Sequence, residues 1–221
     1  MVIGTKQKLT AQVILRTLYE LPCEKVLGIK IVENLNWKEQ IDMICNSISS
    51  RIFLLSKIKS FPNIEARTFF YNGYILPLID YCCIVWGGCN KDGLNGIIKL
   101  HKRAARLILN ADPSTPLFKS FKQLGIMPVH LRIKYHKYLL LHKVLKGEAL
   151  EYLTQKFSYL SKNNPYALRN VLAGNLFIPK AKAEFYKQSF VFSGSSLWNE
   201  LQNDFKSTLK MQLLSMVSKN I

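Results

Sequence analysis

The sequence predicts a mainly α fold (α+β). An N-terminal β-hairpin lies over residues 1–33, a helical thumb-like region over 34–112 and a C-terminal helical connector over 113–221. Three observations predict this. Apolar residues recur at steps of three and four through most of the stretch from Asn36 to Lys146, the period of a helix with a buried face. Runs that favour strands, VIG at 2–4, Val13–Leu15 and KVLGIKIV at Lys25–Val32, crowd into the first 33 residues. Apolar residues make up 48% of the chain and aromatics 11%, a composition that can fill a core and argues against disorder.

In the first region Pro22 and Gly28 punctuate the strand runs, so a hairpin or small sheet edge is expected. It is too small to fold without a partner. Asn36 then precedes WKEQ, with Glu39 three residues on, a pattern that imitates a capping box and opens a helix. Ile41, Ile44, Cys45, Ile48, Ile52, Leu55 and Ile58 give that helix one apolar face to about Lys59. SFPN ends it, and Asn63 caps a second helix through IEARTFFYNGYILPLIDYCCIVW, which Pro77 kinks or divides.

GGCNKDG reads as the next turn, followed by a third helix from about Leu94 to Asn110. On it Leu94, Ile97, Ile98, Ala104, Ala105 and Ile108 share one side, with Leu100 and Leu107 at the margin. His101 projects from that apolar side, and Lys99, Lys102, Arg103 and Arg106 lie opposite. DPSTP breaks the chain, and PLFKSFKQLG forms a short helix. The helix from Val129 to Lys146 carries two apolar stripes, Val129, Ile133, Leu140, Val144 and Leu131, Tyr135, Tyr138, Leu145. Between them runs a basic line of Arg132, His136, Lys143 and Lys146. Beyond Gly147 the expectation is a helical EALEYLTQKF, short strands at LFIP and SFVF, a short helix at SSLWNEL, and an amphipathic tail from about Asp204.

The formal charge of +17 is unevenly spread. Residues 91–147 hold twelve basic and two acidic side chains, a net of +10, in about a quarter of the chain. That concentration fits phosphate backbones, with anionic surfaces as the competitor. The run from Tyr74 to Trp86 offers thirteen residues broken by Pro77 and Asp80, where a membrane span needs about 20, so it reads as core. The five cysteines are odd in number and MVIGTKQKLT does not resemble a secretory signal, so the thiols are expected reduced, in an intracellular setting.

Cys82, Cys83, Cys89 and His101 could in number supply zinc. Adjacent cysteines on a helix, however, diverge by about 100°, so Cys82 and Cys83 read as small apolar core residues and His101 as a hydrogen-bonded core histidine. Asp80 interrupts an apolar run and reads as a buried ion pair or helix-break cap; Glu148 and Glu151 read as helix-start residues. No Gly-rich phosphate loop, nucleophile elbow or Cys–His signature occurs, so no catalytic or metal site is predicted. The basic faces are the candidate site. Lys99, Lys102, Arg103 and Arg106, at i, i+3, i+4 and i+7 with no acid between them, make one stripe that can follow successive phosphates.

VLGIKIVENLNWKEQI, YILPLIDYCCIVWG, LHKRAARLIL, PLFKSFKQLGI and SGSSLWNEL, in that order, resemble the C-terminal part of reverse transcriptases from LINE-type (non-LTR) retrotransposons, particularly the jockey-like group. The resemblance covers essentially the whole chain. It implies that MVIGTKQK corresponds to the end of the polymerase palm. Val26, Leu27 and Gly28 match the motif that closes the palm and helps hold the primer terminus. Residues from Asn36 onward correspond to the thumb and connector that track the template–primer duplex. The aspartates that bind the catalytic metals, Mg2+ in the full-length polymerase, would lie upstream with the fingers and most of the palm. Alone, this chain is therefore expected to be non-catalytic and to need no cofactor. Its expected partners are the RNA template, the RNA–DNA hybrid and the upstream palm and fingers, without a membrane, in cytoplasmic and nuclear ribonucleoprotein. Met1 would be internal to a longer reading frame. Leu201-Gln202 departs from the family's Leu-Pro, and the terminal Cys/His knuckle of some related elements has no counterpart. Two alternatives stay open: a host-derived module that binds acidic protein or lipid surfaces, and an element remnant without function.

Overall fold

The computed structural model describes residues 23–32, 36–58, 63–112, 121, 124–160, 174–181 and 183–200. Within them the chain is mainly helical with one two-stranded antiparallel sheet. The expected strands at 2–4 and 13–15, most of the PLFKSFKQLG helix and the tail from Asp204 lie outside the described residues. The chain forms two compact units. One takes the described residues up to Cys82 and from Cys89 to Asp112; the other takes Cys83–Gly88 and those from Phe121 onward.

In the first unit the hairpin pairs β1 (Cys23–Val26) with β2 (Ile29–Val32), Val26 opposite Ile29. The turn residues Leu27 and Gly28 have φ of 48° and 83°, the two positive values of a two-residue turn matched to strand twist. Glycine takes its position freely, whereas leucine meets steric resistance there. The Tyr81 hydroxyl donates to the Leu27 carbonyl, and its ring lies against Gly28. The hairpin seats on α1 (Lys38–Lys57): the Lys30 amide donates to Gln40 Oε1 at 2.8 Å, and Ile29 and Gln40 are both buried. β2's outward amide thus ends on a side chain rather than a third strand. Trp37 occupies the cap position of α1 without a side-chain cap bond, whereas Asn36 Oδ1, one residue earlier, accepts from the Lys38 amide at 3.0 Å, and Glu39 reaches the hairpin.

Ile41, Ile44, Ile48, Ile52 and Leu55 of α1 are buried, as the periodicity predicts; Cys45 and Ile58 are half-buried. Removing each of these aliphatic side chains from water contributes roughly 1.5–3 kcal/mol. Their chief partner is α5 (Lys91–Leu109), which starts three residues before the predicted Leu94. Asn90, read from sequence as part of a turn, is its cap and accepts from the Gly93 amide at 2.9 Å. Gly93 and Gly96 lie in its first turns facing α1, where a Cβ would make ordinary contacts at 3.5 Å with Ile41 and with Cys45 Sγ; at Gly93 the tighter neighbour is the cap's own Asn90 Oδ1, at 3.0 Å.

The second predicted helix is broken into pieces. α2 (Ile64–Phe70) is capped by Asn63, whose Oδ1 accepts from Glu65 N at 2.8 Å. A wide π turn over Tyr71–Ile75 follows, then α3 (Leu76–Asp80) with Pro77 in its first turn. The wide turn accommodates the proline, which can neither donate nor tolerate a close preceding carbonyl. The break falls instead at Tyr81–Cys82, where Cys82 has φ of 50°. Cys82 is thus a half-buried turn residue, not the core residue predicted; Cys83 is core, at 1% exposure. The apolar segment is also divided between the units: Tyr71 and Ile75 pack in the first, while α4 (Cys83–Trp86) packs on α6 (Val129–Leu145) in the second.

In the second unit α6 is the central helix, and α9 (Phe190–Glu200) packs along it. Its buried positions are Val129, Ile133, Lys137, Tyr138, Leu141 and Val144. Leu131, predicted to be apolar core, is exposed, and Leu140 is only half-buried. SFVF, predicted as a strand, opens α9. Ser189 accounts for this: its Oγ accepts from the Phe192 amide at 3.4 Å, so a cap overrides the strand propensity of the aromatic run. At the other end of α9, Asn199 Oδ1 accepts from Leu176 N and its Nδ2 donates to Leu176 O, both at 2.8 Å. Trp198 donates to Gly174 O at 3.0 Å and stacks on Tyr138. The Trp-Asn pair therefore fastens the 174–177 segment, in which Leu176 makes a single bridge to Tyr159. The expected EALEYLTQKF helix is confined to α7 (Glu151–Thr154), and a further short helix, α8, spans Glu184–Gln188.

Candidate nucleic-acid interface

The stripe predicted on the third helix lies on α5. Ile97, His101, Ala104, Ala105 and Ile108 are buried on one side, which turns Lys99, Lys102, Arg103 and Arg106 to the other. Lys99 and Arg103 are exposed; Lys102 and Arg106 are half-buried, and the Arg106 Nε is buried without a partner. Among the described residues no carboxylate pairs with any of the four. At about 1.5 Å of rise per residue the stripe spans about 10 Å, the length of about three steps of a nucleic-acid strand. Chemically, it can neutralise successive phosphates and release their counterions.

His101 is 1% exposed and its Nε2 lies 2.5 Å from the Tyr71 hydroxyl, the buried hydrogen-bonded histidine predicted. Arg67 was not predicted. This α2 residue is 5% exposed, and its Nη1 donates to the Leu107 carbonyl in the last turn of α5 at 3.4 Å; its Nε is buried without a partner. A sequence signal existed, since Arg67, Tyr71 and Ile75 recur at four-residue steps on the buried side.

The basic line predicted on α6 is less free. Arg132 is half-buried and already engaged, Lys143 is exposed, and Lys146 lies 3.8 Å from Glu148 in an exposed ion pair. Such a pair contributes about 0–1 kcal/mol, yet it neutralises the cation locally. Lys137, unmarked by sequence, is buried and donates to Ser193 Oγ at 3.1 Å. At the hairpin tip Val26 and Leu27 are exposed, Leu27 at 84%, with Gly28 completing the turn.

No disulfide involves Cys23, Cys45, Cys82, Cys83 or Cys89, and no group of three or more metal-ligating side chains occurs among the described residues. Asp80 closes α3 half-buried and engaged, and Glu151 opens α7. The Cys23 thiol donates to Glu39 Oε2 at 3.3 Å, and this hydrogen bond, then burial and the carboxylate charge, raises its pKa; Lys30 opposes weakly. A raised thiol pKa means less thiolate at a given pH. Glu39→Gln is therefore expected to speed alkylation of Cys23 several-fold at about pH 8, read by mass spectrometry of the modified peptide. An unchanged rate would show that Glu39 does not hold the proton. No described helix is long and apolar enough to cross a membrane.

Comparison with protein-family models, with curated proteins and with solved structures gives no match.

Proposed function

We propose that this chain is the C-terminal part of a LINE-type reverse transcriptase, and that it grips the backbone of template RNA and RNA–DNA hybrid without catalysing synthesis. One observation carries the reading: four cations share the outward face of α5 with no carboxylate among the described residues to neutralise them. The resemblance of the five sequence blocks supplies the polymerase context. The exposed turn at Val26, Leu27 and Gly28 supports a primer-holding role, being a projecting apolar tip fixed by Tyr81. Among the described residues β1 has no neighbour beyond β2, an arrangement compatible with pairing to an upstream palm.

A fluorescence-anisotropy titration against a primed RNA–DNA hybrid over a range of salt tests the reading. Four phosphate contacts predict that log K falls against log salt with a slope of about −3 to −4, with little sequence preference. A slope near zero on the hybrid, with binding to an acidic peptide or anionic vesicle retained, would leave the interaction-module alternative instead. Deoxynucleotide incorporation by this chain alone would overturn the non-catalytic assignment.

A further inference from the structure

We infer that Arg67 is a positioning residue of the α5 basic face, holding the helix end that carries Arg103 and Arg106 and placing a fifth positive charge beneath it. This rests on the proposed nucleic-acid reading. Arg67 is 5% exposed, and its Nη1 donates to a backbone carbonyl, Leu107 O at 3.4 Å, rather than to a carboxylate. An arginine cannot shed its proton, so its burial must be offset by its surroundings. The last turn of a helix does this in part, since its free carbonyls carry the negative end of the dipole. The Leu107 and Arg106 carbonyls are acceptors in that turn: the Asn110 amide donates to both, and the Ala111 amide donates to Arg106 O at 3.0 Å. Asn110 then leaves the helix in a left-handed conformation, φ 52°. Arg67 therefore closes the turn from the buried side, while Arg103 and Arg106 stand on the same turn facing outward.

Two consequences separate this role from ordinary core packing. The guanidinium bonds the Leu107 carbonyl, directly after Arg106, whose own Nε is buried without a partner. Its charge, screened by protein rather than salt water, also adds to the potential felt at the stripe. Arg67 does not reach solvent enough to bind a phosphate itself, so the number of released counterions should not depend on it.

The experiment compares Arg67→Met and Arg67→Lys with the unmodified chain, below their melting temperatures as judged by circular dichroism. Arg67→Met is expected to weaken binding to a primed RNA–DNA hybrid by about three- to tenfold at about 0.1 M salt, where the screening length is about 10 Å. Its salt slope should stay within about half a unit of the unmodified chain's. Arg67→Lys, which keeps the charge but loses the fork, should fall between the two. Without nucleic acid, the Asn110 and Ala111 amides should exchange faster in Arg67→Met, while the Gly93 amide at the other end of α5 stays protected. Undiminished affinity in Arg67→Met, or a slope reduced by a full unit, would overturn the assignment, the first making Arg67 structural only and the second making it a direct contact. Unchanged Asn110 and Ala111 exchange would overturn it equally. Absence of salt-dependent binding by the unmodified chain would instead refute the nucleic-acid reading, and the exchange result alone would then decide whether Arg67 holds the helix end. If Arg67→Met does not fold, Arg67→Lys is read against the same exchange and affinity criteria.

Discussion

Lys102→Glu combined with Arg103→Glu is expected to lower affinity for a primed RNA–DNA hybrid by about a hundredfold at about 0.1 M salt, and to flatten the salt slope by roughly two units. Each reversal removes one phosphate contact and adds a repulsive charge at the same place. The fold should tolerate both changes. Arg103 is exposed and Lys102 half-buried, glutamate has nearly the helix propensity of the residues it replaces, and among the described residues neither cation has a carboxylate partner to strand. Stability should therefore change by less than about 0.5 kcal/mol each, as for ordinary surface positions. Lys146→Gln is the control. Its ammonium lies 3.8 Å from Glu148, so the nucleic acid gains little from it, and its loss should change affinity less than about twofold. If the double reversal binds as tightly as the unmodified chain, or if the Lys146 variant loses as much, then α5 is not the contact face.

How far this molecule could be read from its sequence depends on whether local rules met competition. Regular periodicity was legible: the α1 stripe of Ile41, Ile44, Ile48, Ile52 and Leu55 is buried as the spacing requires, and His101 sits on the inner side of α5 against Tyr71. The outward cations of α5 follow from the same geometry, because a strong apolar face leaves the opposite face no choice. Reading failed where one residue type has two uses. Asn90 and Gly93 look like a turn, yet asparagine also caps helices, and here its Oδ1 accepts from the Gly93 amide. Phe190–Phe192 look like a strand, but Ser189 and packing on α6 decide otherwise. On α6 the apolar residues are distributed around the helix, so sequence alone could not say that Leu141 faces inward and Leu131 outward. The default assignment of charged residues to solvent outweighed the four-residue spacing of Arg67, Tyr71 and Ile75 that places Arg67 inside, and it left Lys137 invisible. Each is tolerated inside by a specific acceptor, Leu107 O and Ser193 Oγ, that lies 40 and 56 residues away in the chain. The partner that compensates each charge leaves no local trace, even where spacing hints at burial.

The two glycines that bracket the apolar segment, Gly73 and Gly87, are alike in sequence and are expected to respond in opposite senses to alanine. Gly73 lies exposed in the π turn, and a Cβ there meets nothing within 4 Å. Gly73→Ala should be neutral or stabilising by up to about 1 kcal/mol, since alanine restricts the unfolded chain and favours helix. Gly87 follows α4, its amide bonded to Cys83 O at 2.9 Å. A Cβ at Gly87 would fall 2.3 Å from that same carbonyl oxygen and 2.7 Å from Ile133 Cγ2 of α6. Neither distance is compatible with van der Waals contact, and one of the two atoms belongs to the backbone. Gly87→Ala should therefore destabilise by about 1–3 kcal/mol through overpacking, lowering the melting temperature by about 2–4 °C per kcal/mol for a chain of this size. Shortening the α6 neighbour separates the two clashes. Ile133→Ala in the Gly87→Ala background removes the side-chain contact and leaves the carbonyl contact, so a thermal-melt double-mutant cycle should show partial rescue. Full rescue would place the whole constraint in the α6 side chain. No coupling would mean that α4 does not seat on α6 through Gly87, and that the division of the apolar segment between the two units has another cause.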